Sequence, residues 1–187
     1  MEGIAVGNIK TPAPVKLISS LFSSNVVLLD DARRMLEAQF GPIDYATDLM
    51  PFDQTDYYES EFGIGILRQI VAFERLIDPV ELPAIKVATN EMELIWADDP
   101  RRRVNLDPGY VTLAKLVLAT TKNQAHRIYL ADGIYAEVTL RYRDKHFQPW
   151  EWTYPDYGLP AYCALFDEIR ELYRQQLRDD PRDLPPG

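Results

Sequence analysis

His126, Glu137, Thr139 and Arg141 are the residues whose types and spacing come closest to a chemical site. They flank Asp132-Gly133, a dipeptide that tolerates positive φ at both centres of a two-residue turn, so HRIYL and IYAEVTLRY pair as a β-hairpin. With Ala131 facing Ile134, Leu130 pairs with Tyr135, Ile128 with Glu137 and His126 with Thr139, and Arg141 continues the same face. Such a face offers a carboxylate as base or metal ligand, an imidazole that exchanges a proton near neutral pH, and a guanidinium that clamps an oxyanion. One His and one Glu do not make a metal site, so any metal and any cofactor stay unassigned. Arg127 falls on the opposite face from Arg141 in this pairing and joins the set only conditionally. The competing reading is a Glu-Arg and His-Thr lattice on a half-exposed sheet.

Upstream, Asp107-Pro108-Gly109 reads as a turn, and Tyr110 to Thr121 as a helical segment. On a 3.6-residue period Leu113, Leu116, Val117 and Thr120 share one side, while Thr112, Lys115, Ala119 and Lys122 share another. Lys115 and Lys122 would then point the same way and receive an anionic group as two point charges. Asp107 is a third acid-base candidate beside His126 and Glu137, and Asn105 lies two residues before it. Two loops supply further wall residues: Asp53, Asp56 and Tyr57 in an acidic stretch, and Tyr154 in the aromatic run PWEWTYPDY. For each of these segments the alternative is structural: a hydrated helix face, a hydrated acidic loop, or rings packed on the core.

The elements that must hold these residues begin with Val15 to Ser23, an aliphatic strand. Leu28, Ala32, Met35, Leu36 and Phe40 then recur at helical spacing and stop at Gly41-Pro42. Ile43 to Leu49 is a short strand, 50–65 a loop with at most one helical turn, and Ile66 to Arg75 a strand. Asp78-Pro79-Val80-Glu81 has the cap, the proline and the acid of a helix start, with Pro83 restarting the helix near Leu82. Leu82, Ile85, Met92, Ile95 and Trp96 give its apolar face, interrupted by Thr89. Arg103 to Leu106 is a candidate fourth strand, and a last helix from about Leu159 turns Tyr162, Phe166 and Ile169 inward. The succession predicts an α+β fold: one domain with a mainly antiparallel sheet and helices on one face. Its first half is ferredoxin-like, extended by a helix, a β-hairpin and a C-terminal helix. Residues 1–14 and 178–187 read as flexible ends around a domain over 15–177.

Composition narrows the function classes. The 187 residues are 47% hydrophobic, enough for a core without staples. The single cysteine, Cys163, excludes an intramolecular disulfide and suits a reducing, cytoplasmic setting. No apolar run reaches the length of a membrane span. A net charge of −9 disfavours broad nucleic-acid binding, leaving only a local patch at Arg101-Arg102-Arg103.

The segments IDYATDLMPFDQTDYYESEFG, RRRVNLDPGYVTLAKLVLATTKNQAHRIYLADGIYAEVTLRYR and WTYPDYG together resemble an uncharacterised bacterial family of proteins of about this length, over nearly the whole chain. The resemblance implies no activity, although some members carry an automatic GTP-binding label. LVLATTKNQ, from Leu116 to Gln124, resembles the strand and Thr-Lys-x-Asp motif with which GTPases read guanine. Gln124 stands where the base-reading Asp would be, and the chain has no phosphate loop, so the parts that define a P-loop GTPase are missing. No dinucleotide fingerprint, nucleophile elbow, H-E-x-x-H or C-x-x-C is present either.

The expectation is therefore an enzyme or binder of an anionic small molecule, phosphorylated or nucleotide-like. Lys115, Lys122, Arg127 and Arg141 are its anion contacts, and Asp107, His126 and Glu137 its acid-base groups. The alternative is a non-catalytic interaction module, with a protein partner or a second copy as its target.

Overall fold

In the computed structural model, residues 7, 9–52, 58–98 and 101–179 are described. A nine-stranded antiparallel sheet runs in the order β2-β4-β1-β5-β6-β8-β7, with β3 added to β4 and β9 to β8. Its strands are β1 (Val15–Ser23), β2 (Ile43–Ala46), β3 (Met50–Pro51), β4 (Leu67–Ile77), β5 (Asn105–Val111), β6 (Lys115–Thr120), β7 (Arg127–Ala131), β8 (Ile134–Arg143) and β9 (His146–Pro149). The helices are α1 (Val26–Phe40), a single turn α2 (Glu59–Phe62), α3 (Leu82–Ile95) and α4 (Pro160–Asp179).

The first half has the split β-α-β arrangement: α1 and α3 are the crossovers, and the strands lie in the order β2-β4-β1-β5. Strand β1 is central and buried along its full length. Its alternate residues feed two cores. Leu17 and Leu21 meet α1 and α3 through Leu29, Leu36, Ile85 and Met92. Ile18 faces the other way, with Ile70, Val111, Leu140 and the α4 residues Phe166 and Ile169. The two crossover helices thus share one face, and the added C-terminal helix covers the other.

Local chemistry sets the helix ends. Asn25 accepts the N–H groups of Val27 and Leu28 at 3.0 and 3.3 Å, and Gly41, at φ 102°, closes α1. Asp78 and Glu81 form the expected reciprocal box, Val80 N to Asp78 Oδ1 at 3.0 Å and Asp78 N to Glu81 Oε1 at 2.8 Å. A 3-10 turn over Pro79–Glu81 then leads into α3 at Leu82, as Pro83 requires.

Two expectations are overturned. Tyr110 to Thr121 is not a helix: it spans the end of β5, a tight turn and β6, with Tyr110 opposite Val117. The turn contains neither Gly nor Asn. The Thr112 hydroxyl instead accepts the N–H groups of Ala114 and Lys115, both at 3.1 Å. Leu116, Val117, Leu118 and Ala119 are all buried because they pack on both faces of the sheet, which a helical reading of the same apolar run cannot distinguish.

Asp107-Pro108-Gly109 is likewise no chain reversal but the middle of β5, paired with Ser20, Ser19 and Ile18 of β1. Its two special residues act on the other neighbour. Thr112 N–H points at β6, bonding Lys115 O at 2.8 Å, and strand alternation aims Pro108 the same way, where it has no N–H to offer. A Cβ on Gly109 would lie 2.3 Å from the Val117 carbonyl oxygen, so only glycine allows β6 to come this close. Pairing between β5 and β6 therefore covers Gly109 to Val111 alone, and beyond that vertex the strands splay apart.

Candidate functional site

The splay opens into a cavity of about 910 Å³ that reaches both faces of the sheet. Its α3 side carries Lys86, Asn90 and Glu93, its far side Tyr58, Arg68 and Tyr157, and the β6-β7 connection supplies Lys122 and Gln124.

Where β6 is missing, α3 takes its place. Glu93 Oε1 accepts the Leu106 N–H at 2.6 Å and Lys86 Nζ donates to the Leu106 carbonyl at 2.8 Å. Both side chains are buried, and both satisfy backbone groups that a continuing ladder would have held. Burial pushes the Glu93 carboxyl above its ordinary range, against the pull of the Lys86 charge and the Leu106 N–H.

Asp107 projects from this frame. Its Oδ1 accepts from Lys86 at 3.1 Å and its Oδ2 from the Asn105 amide at 2.7 Å. Asn105 is fixed in turn by Arg102, whose Nη1 donates to Asn105 Oδ1 at 2.8 Å while its fork grips Glu61 at 2.7 and 2.9 Å. That fork holds the Glu61 carboxyl below its usual range. Arg102, the centre of the basic patch, is thus committed to carboxylate and amide partners of its own chain.

A second cluster closes the β7 end. Arg127 Nε donates to Glu137 Oε2 at 2.8 Å, its Nη1 to the Lys122 carbonyl at 3.0 Å and its Nη2 to the Tyr154 hydroxyl at 3.3 Å. The expected register places Ile128 opposite Glu137. A bulge between Tyr129 and Ala131 shifts it by one, so that Arg127 is the partner of Glu137. Arg127 therefore shares the Glu137 face, contrary to the simple hairpin pairing.

Of the expected site residues, Asn105, Asp107, Lys122, Arg127, Glu137 and Tyr154 line the cavity. Three do not. Lys115 is exposed at the start of β6, since the helix that would have aligned it with Lys122 does not exist. Arg141, opposite Lys115 in the sheet, stacks 4.3 Å from the Trp150 ring centroid. His126 bonds Glu137 through Nε2 at 3.1 Å but lies outside the cavity, its ring stacked on Trp152 at 5.4 Å. Trp152 stacks on Trp150 at 5.1 Å, so the aromatic run forms a layered plate against the hairpin. Asp53, Asp56 and Tyr57 lie outside the described residues. Among the described residues no group of three His, Cys, Asp or Glu side chains converges to hold a metal ion.

Sequence reading missed Lys86, Glu93, Arg68, Asp156 and Tyr157. For the first two a signal existed: they sit seven residues apart on α3, beside the apolar stripe of Leu82, Ile85 and Met92, where a hydrated helix face has no place for them. Arg68 carried none. It is buried, paired with Asp156, and its guanidinium lies 3.7 Å from the Phe52 centroid and 5.5 Å from that of Tyr157.

Fold and site together define an α+β protein built around a cavity in a split antiparallel sheet. Over residues 13–173 the chain matches a domain of unknown function, DUF4416, and it belongs to that family. No curated protein and no solved structure matches it. Among the described residues no helix is long and apolar enough to cross a membrane.

Proposed function

We propose that the cavity between β5 and β6 receives an anionic small molecule, phosphorylated or nucleotide-like in size, and that Asp107 is the group placed to exchange a proton with it. The carrying observation is the splay itself. A sheet held open at Pro108-Gly109, with buried charges from α3 stabilising the exposed strand edge, encloses a volume within the range of small-molecule sites. Lys122 and Gln124 are exposed residues at the solvent side of the cavity, where an ionic group keeps part of its hydration. Asp107 accepts one hydrogen bond on each oxygen from the protein, and each oxygen has a further lone pair for a ligand.

The test is thermal stability of the full chain against a panel of phosphorylated metabolites and nucleotides. A ligand at 100 times its Kd adds about 2.7 kcal/mol, a rise in Tm of about 5–10 °C for a chain of this size. The rise should shrink in Asp107→Asn and Lys122→Ala. A panel without any shift removes the proposal.

A second reading, a non-catalytic interaction module, draws on the edge strand β7, whose Ile128 and Tyr129 are 69% and 58% exposed. It predicts self-association into a dimer by light scattering, abolished by Tyr129→Lys.

A further inference from the structure

Resting on the reading of the cavity as a small-molecule site, we infer that its inner end recognises the lactam edge of a flat heterocycle, a ring carbonyl beside a ring N–H, while the ligand's anionic group stays at the mouth. Two observations lead there. The first is charge. The cations of the inner wall are already matched, Arg68 by Asp156 and Lys86 by Asp107. An ionic ligand group placed among them would be desolvated without a free counter-charge, which costs more than burying a neutral polar ring.

The second is the hydrogen-bond inventory. The Tyr157 hydroxyl and Ser20 Oγ lie side by side, both buried, and neither makes a hydrogen bond of good geometry. Buried polar atoms of this kind ask for a partner. Burial also pushes the Tyr157 hydroxyl far above the usual phenol range, so it keeps its proton and donates. Asp107, an acceptor, is the direct cross-strand neighbour of Ser20 and shares its face, which puts their Cβ atoms about 5 Å apart. A buried donor at Tyr157 close to a carboxylate acceptor at Asp107 is the complement of a ring carbonyl next to a ring N–H. Phe52, Tyr58 and Tyr157 line the same cavity and give a flat heterocycle apolar walls.

Uridine and cytidine 5′-monophosphates isolate the feature, because they differ only where the lactam of one is replaced by the amidine edge of the other. Inosine and adenosine 5′-monophosphates repeat the comparison on a larger ring. Titration calorimetry on the full chain should give Kd values about tenfold or more lower for the uridine and inosine compounds, the effect of about 1.4 kcal/mol from one mismatched polar pair. Asp107→Asn, which offers an N–H in place of an oxygen, should bring the cytidine compound level with or ahead of the uridine one. Loss of a structural contact alone would weaken both equally. Tyr157→Phe should weaken the lactam ligands about tenfold without lowering the Tm of the free protein.

Equal binding of the uridine and cytidine compounds by the unaltered protein overturns the inference, as does a preference unchanged in Asp107→Asn. If no nucleotide binds at millimolar concentration while another phosphorylated compound raises Tm, the lactam inference fails and the small-molecule reading stands. If nothing raises Tm, both fall.

Discussion

Glu93 Oε1 and the backbone nitrogen of Leu106 are 2.6 Å apart, a side chain of α3 standing in for the strand that would otherwise lie beside β5. The contact keeps the sheet open without leaving an orphaned donor at its edge. Glu93→Ala removes the acceptor from a buried N–H, and its expected cost is about 2–3 kcal/mol. Glu93→Gln retains an oxygen there and should cost less. Urea denaturation of the two variants checks the order; equal losses would mean that the acceptor is not what matters.

The same carboxyl carries a pH signature. Because burial raises its folded pKa above the ordinary 4.5, the native state holds its proton longer than the unfolded chain does. The contribution is complete below 4.5 and is lost as pH climbs through the elevated folded value. Measured from pH 4 to 8, the stability of the unaltered protein should therefore decline relative to Glu93→Gln as pH rises. A constant difference across that range would show that Glu93 is not desolvated.

The vertex of the splay makes a sharper demand. Gly109→Ala puts a Cβ 2.3 Å from the Val117 carbonyl oxygen and 2.7 Å from a Leu118 methyl, and the first of these is backbone that cannot step aside. The loss should be about 3 kcal/mol or more, through strain rather than lost contacts. Wild-type stability of Gly109→Ala in urea would remove Gly109 as the point that fixes where β5 and β6 part.

That vertex also marks the limit of what the chain discloses before it folds. Elements whose signal is local were legible: the α1 stripe ending at Gly41, the Asp78-Glu81 box, the Asp132-Gly133 turn and the α4 face all stand where their residue patterns put them. Pro108-Gly109 misled because the same two residues reverse a chain in one setting and unzip a strand from one neighbour in another, and only the presence of β1 on the far side decides between them. The candidate site divides the same way. Asn105, Asp107, Lys122, Arg127 and Glu137, which line the cavity, were singled out as polar residues crowded into an apolar stretch, and Tyr154 from the aromatic run. Arg68 and Asp156, 88 residues apart, meet only through the tertiary fold. His126 and Arg141 were misplaced by bulges, which add a residue to one strand without a reliable mark in its composition.

Lys16, on the central strand, is fully buried and pairs with Asp44 and Gln176 at the end of α4. Burial pulls its pKa below 10.5, outweighing the support from Asp44. Asp44 is itself partly hydrated, so removing the ammonium does not strand a buried anion. Lys16→Met, which keeps the length and sheds the charge, should stay within about 1 kcal/mol of the parent at pH 7. As pH rises from the lowered folded value toward 10.5, the native state is relieved of its buried cation, and the parent should gain on Lys16→Met. A parent that instead loses ground over that interval would mean the Asp44 pair outweighs desolvation.

Arg127 and Glu137 test whether the β7 end is a cooperative unit. Both side chains are almost wholly buried, and Glu137 gathers Arg127, His126 and, at 3.4 Å, the Thr139 hydroxyl around one carboxylate. Arg127→Met leaves that carboxylate without its guanidinium, and Glu137→Met leaves the guanidinium without its carboxylate; each should cost about 3–5 kcal/mol. The double variant removes both charges at once and should cost much less than the sum, because no uncompensated ion remains. Arg127 also ties down the Lys122 carbonyl and the Tyr154 hydroxyl, so Arg127→Met frees the two residues it anchors at the cavity wall. Amide exchange at 120–124 should then quicken in both variants that lack Arg127 and remain slower in Glu137→Met, which keeps the guanidinium's other two bonds. Additive losses in the cycle, or equal exchange in all three variants, would reduce the cluster to independent contacts and leave the cavity wall to be held by something else.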